Sequence, residues 1–109
     1  RINMSTSTPD ITRLLYTIAV SGGSGGTALP TDMANEILQI IVVPPSSSDT
    51  YRVYMKDTLD NIETYRREDE IIGTFNEIFA PCIPICGRYE FYITNASSNG
   101  NYKLRIIYR

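Results

Sequence analysis

The sequence contains no histidine and no tryptophan, and only two cysteines among its 109 residues. Without histidine, the chain lacks the side chain that most often serves as a general base at neutral pH and as a metal ligand. Without tryptophan, it lacks the largest aromatic surface for stacking on sugars or bases. The formal net charge is −2, so bulk electrostatics give no reason to bind nucleic acid or an anionic membrane.

Long apolar runs and helix-favouring residues are also scarce. The longest apolar run, residues 40–45, is far shorter than the ~20 residues of a membrane-spanning helix, so we expect no membrane segment. Only 6 leucines and 5 alanines stand against 15 isoleucines, 4 valines, 11 threonines, 8 tyrosines and 3 phenylalanines. Because β-branched and aromatic side chains suit a pleated, half-buried surface, this composition predicts an all-β fold.

Alternating apolar and polar residues predict individual strands, most clearly in residues 12–20 and 50–57. Residues 37–43 are almost continuously apolar, and we interpret them as a strand buried on both faces for much of its length. Seven to eight short strands with turn sequences between them are typical of a single antiparallel β-sandwich of jelly-roll or immunoglobulin-like type. The sandwich domain is expected over residues 11–109, after a polar, flexible N-terminal arm at residues 1–10.

Two other segments have local signals of their own. Residues 21–26, Ser-Gly-Gly-Ser-Gly-Gly, predict a mobile surface loop. A phosphate-binding loop is the alternative, but no lysine follows and no strand–helix pattern surrounds the segment. Residues 31–36 could begin a short helix with Thr31 as its N-cap and Asp32 in the first turn.

The C-terminal residues 88–94 and 102–108 alternate so clearly that they predict a β-hairpin with an aromatic-rich inward face. Its outward face would gather Arg88, Tyr92, Lys103, Arg105, Ile107 and Arg109. Two interpretations of this surface are open. It is either a solvated face that discourages edge-to-edge aggregation or a docking surface for an acidic protein partner, since arginine and tyrosine are enriched at interfaces.

The two cysteines, Cys82 and Cys86, are separated by three residues in a proline-containing segment. In an extended strand they would lie ~13 Å apart, which is too far for a disulfide. We expect two buried free thiols and a reducing or redox-indifferent setting. A local disulfide, if the chain turns back at Pro84, and a metal site that would need two further ligands are the alternatives.

Carboxylates offer little support for catalysis. Pairs among Asp57, Asp60, Glu63 and Glu90 could in principle serve glycoside hydrolysis, but no aromatic subsite pattern surrounds them. Asp57, Asp60 and Asn61 could supply oxygens to calcium, although such residues are typical turn formers. We therefore expect no catalytic residues, no metal and no cofactor.

The order of strands and turns in the C-terminal part resembles a known class of proteins. A strand–turn–strand unit at residues 49–65 is followed by Gly73-Thr, by Pro81 and Pro84, and by strand-like segments at residues 87–96 and 100–108. This order is similar to that of small β-sandwich virion proteins of tailed bacteriophages, especially capsid decoration (cement) proteins. The resemblance covers residues 49–109.

The resemblance implies a non-enzymatic protein that binds the lattice of major capsid proteins on the virion surface. It also implies a homo-oligomer, with a trimer favoured, that is assembled in the host cytoplasm and binds neither nucleic acid nor membrane. Two alternatives remain. One is a carbohydrate-binding module that uses Tyr54 and Tyr92, and the other is a structural protein of the head–tail junction or tail.

Overall fold

The chain folds into nine strands within the part that the computed structural model describes, residues 11–30 and 32–109. The predicted N-terminal arm and the predicted N-cap Thr31 lie outside the described residues. The strands are Thr12–Val20 (β1), Gly25–Ala28 (β2), Met33–Val43 (β3), Thr50–Asp57 (β4), Ile62–Arg66 (β5), Ile71–Ile72 (β6), Phe75–Gly87 (β7), Tyr89–Thr94 (β8) and Gly100–Tyr108 (β9).

The strands form two antiparallel sheets, which confirms the predicted all-β sandwich. The first sheet has the strand order β1-β9-β3-β7. The second has the order β2-β8-β4-β5, and β6 pairs with β4. Because the chain passes between the sheets at most of its connections, only β4 and β5 follow one another within one sheet as a paired hairpin in the described residues.

The core lies between the sheets and comes from the alternating positions that the sequence predicts. On β4, Tyr51, Val53 and Met55 are fully buried. Tyr51 meets Tyr102 of the opposite sheet edge to face, with ring centroids 5.4 Å apart, and its hydroxyl donates to the carbonyl of Gly73 at 2.6 Å. Burial of such side chains supplies roughly 1.5–3 kcal/mol each, which makes this layer the main stabilising element of the sandwich.

Strand β3 differs from the prediction, because it is not buried on both faces. Ile37, Ile40 and Val42 are fully buried, whereas Ile41 is half-buried and Val43 is exposed. The strand contains a bulge at Leu38, where the pairing with β7 and β9 shifts between Ile37 and Gln39. One extra residue changes which positions face inward. An apolar run therefore supplies both a core face and an exposed apolar face.

The glycine-rich segment is a tight turn rather than a long mobile loop. Ser21 and Ser24 exchange backbone hydrogen bonds of 3.1 and 3.4 Å, and Gly22 and Gly23 both have positive φ angles, 66° and 85°. Positive φ at both central residues is the requirement of a type I′ turn. Because the turn closes within four residues, the following residues are free to form β2.

The predicted helix is not formed either, since Met33–Glu36 begin strand β3. Met33 pairs with Gly87 of β7, and the pairing continues along both strands. Backbone pairing with a distant strand therefore overrides a local helix-capping signal.

Strands β8 and β9 do not form the predicted hairpin. Strand β8 pairs with β2 and β4 in the second sheet, while β9 pairs with β1 and β3 in the first. The inward alternation was predicted correctly, because Phe91 and Ile93 of β8 and Leu104 and Ile106 of β9 are buried. These side chains meet across the core instead of lining one face of a hairpin.

A buried carboxylate holds the crossing between β8 and β9. The side chain of Asp49 accepts hydrogen bonds from the backbone N–H of Ser46 at 2.9 Å and from the hydroxyl of Ser98 at 2.8 Å. The backbone carbonyl oxygen of Asp49 accepts a hydrogen bond from the N–H of Gly73 at 2.9 Å. Ser97 beside it exchanges hydrogen bonds with the backbone of Thr50, so the crossing segment is fixed to the turn before β4.

We expect Asp49→Ala to lower the free energy of unfolding by about 1.5–3 kcal/mol, because it removes an ionised acceptor and leaves partly buried donors unpaired. Urea unfolding followed by circular dichroism measures this loss. Asp60→Ala, at an exposed turn position, is the matched control and should change stability by no more than about 0.5 kcal/mol. Equal effects of the two substitutions would contradict a structural role for Asp49.

Candidate functional site

The six residues of the predicted partner surface do not share one face. Tyr92 lies on the outer face of the second sheet, and Arg88 lies in the connection between β7 and β8. The other four, Lys103, Arg105, Ile107 and Arg109, belong to the first sheet or directly follow it. The division follows from the passage of the chain between sheets after β8, which places the two strands on opposite sides of the core.

Two of the four cations among these six residues are neutralised by neighbouring carboxylates. Arg88 Nε lies 3.2 Å from Asp32 Oδ1, and Arg109 Nε lies 3.4 Å from Glu36 Oε1. Lys103 and Arg105 take no part in the ion pairs found among residues 11–30 and 32–109. Of the predicted surface, this pair keeps an uncompensated positive charge.

The outer face of the first sheet surrounds this pair, and we call it the β9 face. Its members are Arg13, Leu15, Thr17, Gln39, Ile41, Val43, Asn76, Ile78, Lys103, Arg105 and Ile107. Two cross-strand rows form its centre. They are Leu15–Arg105–Ile41 and Thr17–Lys103–Val43. A shallow groove of about 410 Å³ lies over these rows.

The β9 face is unusually apolar for a surface that faces solvent. Leu15 is 62% exposed, Val43 is 42% exposed and Ile78 is 73% exposed. These three are among the large hydrophobic side chains that the folded domain leaves in solvent. A contiguous apolar patch with a polar rim is characteristic of a binding surface, whereas single exposed apolar residues are not.

The charge of the β9 face is positive although the chain as a whole is acidic. Arg13, like Lys103 and Arg105, takes no part in the ion pairs of the described residues. Among the described residues, Glu36 is the carboxylate at the outward positions of these four strands, and it pairs with Arg109. The arrangement can therefore attract carboxylates to cations that lie beside exposed apolar side chains.

Sequence reasoning missed much of this face. Arg13 and Thr17 are polar positions of the predicted strand 12–20, and Ile41 and Val43 belong to the segment 37–43 that was predicted to be buried on both faces for much of its length. The missing information was the position of β9 between β1 and β3, together with the bulge at Leu38 that turns Ile41 and Val43 outward. The distribution of charge is one usable signal, because residues 101–109 contain three cations and no carboxylate.

The outer face of the second sheet carries a different constellation, in which Tyr54 and Tyr92 come together. Their rings stack with centroids 4.7 Å apart and planes 17° from parallel. The guanidinium of Arg66 lies over the Tyr54 ring, 5.0 Å from its centroid. On the other side, the Tyr92 ring lies above Gly26, where a Cβ atom would come within 2.8 Å of a ring carbon.

In this row, Gly26–Tyr92–Tyr54–Arg66, the faces of both tyrosine rings are covered by neighbouring residues of the row. Stacked aromatic pairs and cation–π contacts of this kind each contribute roughly 0.5–1.5 kcal/mol at surface sites. A sugar ring binds to an open aromatic face, and the row leaves mainly ring edges in solvent. A groove of about 370 Å³ runs beside the row, lined in part by Lys56, Asn61 and Thr94.

Tyr92 has an altered acidity because of its surroundings. Its hydroxyl donates a hydrogen bond to Glu90, which together with burial and the charge of Glu90 raises the pKa of Tyr92 to about 12. Glu63 pairs with a cation instead, and the hydrogen bond from Arg66 lowers the pKa of the Glu63 carboxyl. The two carboxylates therefore act as partners of neighbouring side chains on this face.

The remaining candidate carboxylates behave as turn residues. Asp57 Oδ1 accepts the N–H of Leu59 at 2.9 Å in the β4–β5 turn, where Asn61 has a positive φ of 57°. No group of three or more histidine, cysteine, aspartate or glutamate side chains is placed to hold a metal ion within residues 11–30 and 32–109. The predicted alternative of a calcium turn thus gains no ligand set from the described residues.

The cysteines are free, as predicted, but they are not buried. Cys82 is half-buried, Cys86 is exposed, and the two do not form a disulfide. Both lie in strand β7, and the guanidinium of Arg109 comes within 3.9 Å of Cys82 Sγ. The extended strand keeps the thiols apart, as the spacing of the two cysteines predicts.

No known protein family matches the sequence, and no curated protein matches it. No helix in the described part of the chain is long and apolar enough to cross a membrane.

We expect Glu90→Gln to lower the pKa of Tyr92 from about 12 towards 10, because the substitution removes the negative charge that opposes phenol ionisation. In the wild-type protein the folded pKa lies above the unfolded value, so this group's contribution to stability is complete below pH 10. The contribution is lost as the pH rises from 10 to about 12. Titration of ¹³Cζ-labelled tyrosine by NMR, with Tyr92→Phe for assignment, measures both values.

Glu63→Gln is the matched control for this titration. Glu63 lies on the same face but pairs with Arg66, so its loss should leave the pKa of Tyr92 unchanged. A wild-type Tyr92 that titrates near pH 10 would contradict the hydrogen bond to Glu90.

Proposed function

We propose that this protein is a non-enzymatic structural protein of a bacteriophage virion, a capsid decoration protein that binds and stabilises the assembled head lattice. The β9 face is the observation that carries the proposal. It presents exposed apolar side chains beside three cations, and it lies on a β-sheet rather than on loops. The resemblance of residues 49–109 to small virion sandwich proteins supplies the class of partner.

Binding by this face needs a partner surface of complementary chemistry. Burial of Leu15 and Val43 would supply roughly 25 cal/mol for each Å² of apolar area removed from water. Carboxylates of the partner, placed opposite Lys103 and Arg105, would fix the orientation and reject cationic surfaces. An acidic surface that also carries apolar side chains, repeated over a lattice of major capsid proteins, would meet both requirements.

The size of the face accounts for a dependence on the assembled lattice. Four strands spaced about 4.8 Å apart and about 27 Å long give roughly 500 Å². This area is smaller than the about 800 Å² per partner of a standard stable interface. A single contact would therefore be weak, and repeated contacts on a lattice would raise the effective affinity. A protein that binds only the assembled shell shifts assembly towards that shell.

The same features favour a protein partner over nucleic acid. Nucleic-acid grooves combine cations with aromatic side chains on which bases stack. The β9 face instead places isoleucine, leucine and valine between its cations. The proposal accordingly places the protein on the capsid surface of the virion, as a homo-oligomer and without a cofactor.

We expect Lys103→Glu combined with Arg105→Glu to abolish binding to expanded, DNA-free heads assembled from the major capsid protein of the same genome. Reversal of both charges would place carboxylates opposite the acidic partner surface. Cosedimentation of the purified protein with heads measures the bound fraction. Lys56→Glu is the matched control, since Lys56 is an outward lysine in the centre of the opposite sheet.

Three results would overturn the proposal. The first is a wild-type protein that does not cosediment with expanded heads, and the second is equal binding by the charge-reversed and wild-type proteins. The third is a gene that has no capsid gene in its neighbourhood.

Carbohydrate binding is the second candidate function, and the pairing of Tyr54 with Tyr92 beside a polar groove favours it. If this candidate holds, the wild-type protein should bind members of a polysaccharide array, and Tyr54→Ala should lose that binding. The occupied ring faces lead us to expect no binding by either protein. Tyr16→Ala, which changes a tyrosine outside the row, is the control, and sugar binding that depends on Tyr54 would replace the capsid proposal.

A further inference from the structure

Strand β1 forms one edge of the first sheet, and the hydrogen bonding of the sheet shows which of its backbone groups face outward. Glu36 and Arg109 exchange two backbone hydrogen bonds, of 2.8 and 3.0 Å. In an antiparallel sheet, successive residues direct their N–H and C=O groups to alternate sides. Arg109 therefore faces β3, and Tyr108 faces β1.

The same alternation continues along β9, because its register with β1 is unbroken. Every second residue of β1, beginning with the partners of Tyr108 and Ile106, directs its backbone N–H and C=O groups towards β9. The intervening residues direct theirs to the open edge. They are Arg13, Leu15, Thr17 and Ala19.

The open part of this edge is confined to residues 13–17. Gly25 lies against the carbonyl of Ala19, where a Cβ atom would come within 2.4 Å of the oxygen, so the second sheet covers the end of the strand. Arg13, Leu15 and Thr17 make no further backbone hydrogen bond among the described residues. A row of unpaired N–H and C=O groups is a template for another strand.

The other edges are less suited to strand addition, each because of a recognisable feature. Pro84 of β7 is paired with Glu36, whose backbone N–H and C=O groups bond to β9. The backbone of Pro84 therefore faces the open edge, at a position where another residue would present an N–H group. Proline has no such donor. At the edges of the second sheet, β2 has only four residues and β5 has five, with the Glu63–Arg66 ion pair on it. Strand β1 is the long edge without proline.

Side chains on both faces of β1 are also incompletely covered. Leu14 and Tyr16 point inward and pack against the core, yet both remain partly exposed. On the outward face, Leu15 is 62% exposed. A strand placed beside β1 would complete the burial of all three.

We propose that the occupant of this edge is β1 of a second copy of the chain, which joins two first sheets into one continuous antiparallel sheet. A two-fold axis through Leu15 pairs Arg13 with Thr17 of the second copy, so no like charges stand opposite each other. It places Leu14 beside Tyr16 of the second copy. The pairing thus spans the whole of the open stretch, residues 13–17, and ends where Gly25 covers the edge.

This pairing is an inference from the backbone and does not rest on capsid binding. It has one consequence for that proposal. Because opposed residues of paired strands point to the same side of a sheet, the two β9 faces would join into one surface of roughly 1,000 Å². A dimer would then present an area in the range of stable interfaces.

Leu15→Pro tests the pairing, because it removes an outward-facing N–H without removing a bond to β9. We expect the wild-type protein to sediment at twice the 12.3 kDa chain mass at micromolar concentration and the variant to sediment at the chain mass. Ile78→Pro is the matched control. Ile78 is an equally exposed apolar residue with an outward-facing backbone on the opposite edge strand, so this variant should remain dimeric.

Hydrogen exchange of the wild-type protein keeps the test decisive if Leu15→Pro unfolds. The amides of Arg13, Leu15 and Thr17 should exchange slowly at high concentration and quickly on dilution, whereas those of Asn76 and Ile78 should exchange quickly at both. A wild-type monomer, a trimer, or a dimer whose β1 amides stay unprotected would overturn the proposal. Protection that does not change with concentration would show that the chain's own N-terminal residues cover the edge.

Discussion

The constraint on which the arrangement depends most is the hydrogen bonding of Asp49. Its side chain joins the turn before β4 to the segment between β8 and β9, and its carbonyl receives the amide of Gly73 beside β6. Asp49 is only 7% exposed, and burial of a carboxylate is costly unless its oxygens accept hydrogen bonds. Here donors from two separate segments supply those hydrogen bonds. These bonds hold the crossing segment against the turn and so direct β8 and β9 into different sheets.

The separation of β8 and β9 has a direct consequence for the surface. Strand β9 lies between β1 and β3, so Arg105 is flanked by Leu15 and Ile41, and Lys103 by Thr17 and Val43, instead of by the tyrosines of β8. The tyrosines of the second sheet form their own row, closed by Gly26 at one end and Arg66 at the other. Within residues 11–30 and 32–109, one outer face therefore carries apolar side chains and cations outside the ion pairs, and the other carries aromatic rings that contact each other.

Much of the fold could be predicted because alternation is a local property. The inward residues of β1, β4, β8 and β9 follow directly from the period of two, and Gly73 marks the break between β6 and β7. Strand partners could not be predicted in the same way, since a turn sequence such as residues 95–99 fits a hairpin and a crossing equally well. The orientation of Ile41 and Val43 depended on a one-residue bulge, which has no signature in an apolar run. The six predicted surface residues were therefore placed on one face, whereas the structure divides them.

The sequence by itself determined the class of the fold, many of the residues that face the core and the absence of histidine. Those properties depend on composition and on the neighbours of each residue along the chain. Only the tertiary structure decided which strands are adjacent, where the cations gather and which sheet edge is open. These depend on pairings between distant residues, such as Glu36 with Arg109 and Asp49 with Ser98, whose energies exist only once the chain has folded.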